Sequence, residues 1–174
     1  MNSPRSDPEP LAALQRVVVS DAEPLISLAR LDLLSLLPQQ FSEIQMPQQV
    51  VEECTARSDR PDVARILAAL ASEWLVPCDA APIDEKSLGW GERAAIARAL
   101  EIDAGLLVDD MEARLNAAAR GIAVTGTLGV LVRARRAGRV PAITPLIAQL
   151  RAGRQRFAAA AMAQAIAAAG EAGI

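Results

Sequence analysis

Short β-branched runs alternate with helical segments along almost the whole chain, and this alternation limits the folds open to it. The clearest unit is GLLVDDMEARLNAAARGIAVTG, residues 105–126. An apolar run gives a strand, a pair of acids turns the chain, and MEARLNAAAR gives a helix that Gly121 stops before a second strand. The same rhythm predicts strands over 17–20 (VVVS), 42–46 (SEIQM), 74–78 (WLVPC), 105–108 and 122–126. Helices are expected over 23–29, 31–37, 47–57, 61–71, 92–102, 111–121, 127–138, 143–151 and 157–169, with a loop over 82–91. Strands separated by helices call for a parallel sheet covered on both faces, of the doubly wound kind. Residues 1–15 hold several prolines and little to bury, so they read as a flexible tail ahead of one domain over 16–174.

Composition narrows the chemistry. Histidine is absent, which removes the usual general base and the commonest zinc ligand, so catalysis has to rest on carboxylates. The two cysteines, Cys54 and Cys78, fit no metal-binding spacing and read as reduced thiols. Aromatic residues make up only 2% of the chain, so base stacking cannot be its main mode of contact with a nucleic acid. No stretch is long and apolar enough for a signal peptide or membrane span, and the chain reads as a soluble cytoplasmic protein. Charge is segregated: residues 1–112 carry a balance of −11 and residues 113–174 a balance of +8. An acidic site facing a basic surface is what nucleic acid processing needs, and a solvated basic helix face would give the same numbers.

Acids recur where a parallel sheet builds its sites, outside the carboxyl ends of the strands. Asp21 ends the first strand and Asp109-Asp110 ends the fourth. Asp21 can cap the helix that Glu23-Pro24 opens, ligate a metal, or do both. Glu23 itself reads as an ordinary first-turn acid. One of Glu52 and Glu53 can face the site from the helix PQQVVEEC, and Glu92 follows Gly91 at a helix start. Asp110 can cap the helix at Met111 and pair with Arg114, and Thr127 can cap its own helix or bond a site carboxylate. Clustered carboxylates repel one another, and Mg²⁺ or Mn²⁺, which prefer oxygen ligands, would compensate them.

The ordered set VVVSDAEPLISLAR, MPQQVVEEC, GWGERAAIARAL, LLVDDMEAR and GIAVTGTLGVLVRARRAGRV resembles the PIN-domain family, in a prokaryotic branch, over nearly the whole chain from Val17. The resemblance implies a three-layer α/β/α fold around a parallel sheet of four to five short strands, with the first and fourth adjacent. It also implies a metal-dependent ribonuclease site. Carried over by motif, the site acids are Asp21, Glu53, Glu92 and Asp109 or Asp110, as ligands of Mg²⁺ or Mn²⁺ or as groups orienting water. Arg133, Arg135, Arg136 and Arg139 are candidate contacts for RNA phosphates. Many PIN proteins are toxins of toxin–antitoxin pairs, work as homodimers and are restrained by a small antitoxin protein. The chain departs from the toxin pattern in two places: LLVDD lacks the Thr or Ser before the strand-end acid, and a Gly-Glu pair replaces the commoner aspartate. A PIN-like binding or regulatory module acting through a protein partner is the alternative reading. Other acidic-pocket folds fit less well, since a receiver domain needs a lysine at a later strand end and the only lysine is Lys86.

Overall fold

The structure, a computed structural model, describes residues 16–57 and 59–172; the expected tail over residues 1–15 lies outside the described residues. Five strands form one sheet: β1 (Val17–Ser20), β2 (Glu43–Pro47), β3 (Leu75–Cys78), β4 (Gly105–Leu107) and β5 (Val124–Thr125). Their order is β3-β2-β1-β4-β5 and every pairing is parallel. Chain order runs one way from β1 to β3 and the other way from β4 to β5, so the switch point lies between β1 and β4.

The helices are α1 (Ala22–Arg30), α2 (Gln48–Thr55), α3 (Pro61–Leu70), α4 (Trp90–Glu101), α5 (Met111–Ala119), α6 (Thr127–Arg136), α7 (Thr144–Ala152) and α8 (Ala159–Ala168). Side chains of a strand point alternately to the two faces, and β1 shows the consequence. Val18 joins a core with Leu25, Leu28, Ile66, Leu131 and Ile147 from the helices of one face. Val19 joins a second core with Ala95, Ile96, Ala113 and Ala117 from α4 and α5 on the other. Leu107 and Leu106 of β4 divide in the same way. The result is the three-layer α/β/α arrangement, and it makes β1 a strand covered on both faces.

Three local readings change. The leucine-rich stretch over 31–37, expected as a helix, is a 3₁₀ turn at Leu34–Leu36. Asp32 adopts a left-handed backbone (φ 59°) and Leu33 N–H donates to Leu28 O at 2.8 Å, a Schellman closure that ends α1. Leu31, Leu34, Leu36 and Leu37 are buried all the same, so apolar content alone mimicked helical periodicity. Next, α4 begins inside the expected loop, at Trp90, because Gly89 takes the extended N-cap conformation and donates its N–H to Glu92 Oε2 at 2.7 Å. The last strand shortens from 122–126 to Val124–Thr125. Cys54 and Cys78 are free thiols. No helix among the described residues is long and apolar enough to cross a membrane.

Glu171, the one acid in residues 113–174, fastens the C-terminus to the start of α7. Its carboxylate accepts from Ile143 N–H (2.6 Å), Thr144 N–H (3.0 Å) and Thr144 Oγ1 (2.6 Å), with Arg135 Nε 3.6 Å away. These bonds, that to the Thr144 hydroxyl first, hold its pKa below the usual value. Glu171→Ala should therefore cost about 1 kcal/mol, as loss of a helix cap does, and lower Tm by roughly 2–4 °C. Because the folded pKa is depressed, the contribution is present above the unfolded pKa and fades as pH falls through the folded one. Thermal melts from pH 7 down to pH 2 check this, and a Tm difference that stays constant over the whole range would speak against it.

Candidate active site

The site is built on the switch point. Asp21 follows β1 directly, and its N–H donates to Leu107 O at 2.9 Å, which ties the end of β1 to the end of β4. Asp21 stands in the N-cap position of α1 with an extended backbone, yet its side chain makes no capping bond. Only 3% of the residue is exposed, and Oδ1 is buried with no hydrogen-bond partner. Buried polar atoms are nearly always paired, so this oxygen calls for an explanation.

Gly91 and Glu53 frame it. A Cβ at Gly91 would lie 3.0 Å from Glu53 Oε2 and 3.6 Å from Asp21 Oδ1, so the bare glycine lets the start of α4 come up against both carboxylates. Glu92, the next residue, adds a third acid; Glu52 and Glu53 are both exposed, and it is Glu53 whose carboxylate reaches Gly91. Burial, opposed in part by the Ala22 amide and reinforced by Glu53, Glu92 and Glu23, pushes the Asp21 pKa up to about 8. Glu53 and Glu92 are also raised, each chiefly by burial and then by neighbouring carboxylates, with the Gly89 N–H partly relieving Glu92.

The pair after β4 divides its work. Asp110 Oδ1 accepts from Ala113 N–H at 2.9 Å and so caps α5. Asp109 receives the Thr127 N–H on Oδ1 (2.7 Å) and the Thr127 hydroxyl on Oδ2 (2.6 Å), from the first residue of α6. A Cβ at Gly126 would fall 2.5 Å from Asp109 Oδ1, so this close approach needs a glycine. Burial raises the Asp109 pKa, with the Thr127 bonds and Arg114 opposing. A family model described as "PIN domain" matches residues 17–171, nearly the entire chain. The chain belongs to the PIN-domain family. It is similar in structure to a PilT N-terminus domain protein, SSO1118, from the hyperthermophilic archaeon Sulfolobus solfataricus P2: TM-score 0.49 and 16% identity, covering 67% of this chain and 92% of that one. A search of the curated proteins returns no match.

PIN domains are generally nucleases and typically use divalent metals, and the donors here fit a hard cation. They are carboxylate oxygens, one of them orphaned in a buried position beside space that a Cβ would fill. Among the described residues, no three His, Cys, Asp or Glu side chains are drawn together as a ready-made cation site. In this PIN domain the hydroxyl that reaches Asp109 comes from Thr127, at the start of α6.

Glu23 is the acid that sequence reasoning undervalued. Its charge is felt at Asp21, Glu53 and Glu92, and its own pKa is raised by burial and then by Asp109, with Asp110 adding to it. Its position two residues after a strand-end aspartate was the available signal. Glu23, Asp109 and Asp110 sit in a cleft of about 1110 Å³ that Arg114, Arg133, Arg136, Arg154 and Arg156 also line. Of the four arginines expected to meet phosphate, Arg133 and Arg136 face this cleft, whereas Arg135 turns to Glu171 and Arg139 does not line it.

The raised Asp21 pKa has a definite sign. The folded chain holds this proton to about pH 8, whereas the ordinary value is 3.8, so its stabilising contribution is full below pH 3.8 and is lost as pH rises towards 8. In metal-free protein, Asp21→Asn should flatten this slope and raise Tm at pH 7.5 by about 3 °C or more. Melts of both proteins across pH 4–8 in EDTA check it; an unchanged slope and a lower Tm at pH 7.5 would contradict it.

Proposed function

We propose that this PIN domain is a Mg²⁺- or Mn²⁺-dependent endoribonuclease. The observation that carries the reading is the buried, unpartnered Asp21 oxygen facing Gly91 and Glu53 at the switch point. Asp21, Glu53 and Glu92 would hold the cation directly or through water, with Asp109 and Asp110 closing the side towards β4. A divalent ion supplies a water activated at neutral pH and offsets the charge of an in-line phosphodiester displacement. The chain's own contribution is positional. Thr127 fixes the Asp109 carboxylate, Glu23 adds negative potential between the two acid groups, and the arginine-lined cleft draws a phosphate backbone to them.

The choice of RNA, a homodimeric state and restraint by a small antitoxin rest on the resemblance to PIN toxins. One observation favours the regulatory alternative: Asp109 spends both oxygens on Thr127 rather than leaving them free. A single comparison separates the two. The nuclease reading expects RNA cleavage with Mn²⁺ and none in EDTA, with Asp21→Ala at least about 100-fold slower, the scale of losing a catalytic group. It also expects stabilisation by about 2.7 kcal/mol when Mn²⁺ reaches 100 times its Kd. A wild type that neither cleaves RNA nor gains stability would favour the regulatory module.

A further inference from the structure

Four aromatic side chains serve the entire chain, two Trp and two Phe. Trp74, Phe41 and Phe157 pack against the core. Trp90 does not: it is 59% exposed at the first position of α4. An indole exposed in this way offers a large, flat apolar face to a partner.

Its neighbours indicate which one. Trp90 directly precedes Gly91 and Glu92, and Gly91 is the residue whose bare backbone abuts Glu53 and Asp21. Trp90 is thus the chain neighbour of the residue at the acidic notch, and neither it nor Gly91 lines the arginine-lined cleft. One face is braced: the Arg93 guanidinium lies 5.2 Å from the ring centroid, and Arg93 Nε is held by Ile83 O at 2.7 Å. With one face under Arg93, an indole this exposed keeps its other face for a flat ligand. The chemical class that is flat, aromatic and joined to a phosphodiester is a nucleobase.

We infer that Trp90 is a stacking platform for a base of the nucleotide next to the phosphate held at the acids, an inference that rests on the ribonuclease reading. A base must leave a duplex to stack in this way, so the site takes single-stranded RNA. Trp90 is a positioning residue. Its loss should raise KM more than it lowers kcat.

The test uses the full chain and 12-nucleotide fluorescein-labelled oligoadenylate and oligouridylate, with Ca²⁺ in place of Mn²⁺ for binding and Mn²⁺ for cleavage. Trp90→Ala should weaken oligoadenylate binding by roughly 5- to 100-fold, and Trp90→Phe by much less. Wild type should prefer the larger adenine, and Trp90→Ala should lose that preference. RNA should quench tryptophan fluorescence in wild type but not in Trp90→Phe, where Trp74 remains. A wild type that binds and cleaves RNA while Trp90→Ala matches it in affinity and base preference overturns the stacking role and leaves the nuclease reading standing. A wild type that neither binds nor cleaves overturns both.

Discussion

A carboxylate buried at the end of the central strand, with one oxygen left unpaired, is the constraint to which the site answers. Burying an ionised acid without partners is costly, and the Asp21 pKa records that cost. The fold imposes the burial. Because β1 lies between β2 and β4 with helices on both faces, whatever follows it is surrounded on every side except the open end of the sheet. Gly91 keeps that end clear, and the backbone bond from Asp21 to Leu107 fixes where β4 delivers its own acids.

The segregation of charge along the chain becomes a division in space. Acids come from the ends of β1 and β4, the starts of α1 and α4 and the second half of α2, whereas the basic wall comes from α5, α6 and the turn between α7 and α8. Glu23 stands where the two meet: its side chain takes a 3.4 Å hydrogen bond from Gln155 Nε2, beside Arg154 and Arg156. Thr127 links the groups differently, since the start of α6 holds Asp109 while the same helix presents Arg133 and Arg136 to the cleft.

Much of this was legible in the sequence because it depends on local order. Strand-end acids can be read from where an apolar run stops, and parallel pairing places them on one edge of the sheet, so Asp21, Asp109 and Asp110 could be located from pattern alone. Glu92 after Gly91 could likewise be read as a helix start, whereas Glu53 over Glu52 came through the family resemblance. What stayed hidden depends on long-range geometry. Glu23 looked like any first-turn acid until the fold brought it into one cleft with Asp109 and Asp110, and Arg154 and Arg156 carried no motif that tied their turn to the site. Arg135 and Arg136 are adjacent in sequence, yet one pairs with Glu171 and the other faces the cleft, a difference set by helix rotation against α8. The turn over 31–37 misled because burial, not periodicity, put leucines there.

The central claim is that the unpaired Asp21 oxygen is kept for a divalent cation. Crystals of the full chain grown with Mn²⁺, measured for the anomalous signal of manganese, test it most directly. The account predicts a peak in contact with the Asp21 carboxylate on the side of Gly91 and Glu53, absent from crystals of Asp21→Asn. Manganese bound elsewhere, or the same peak in both proteins, would contradict it.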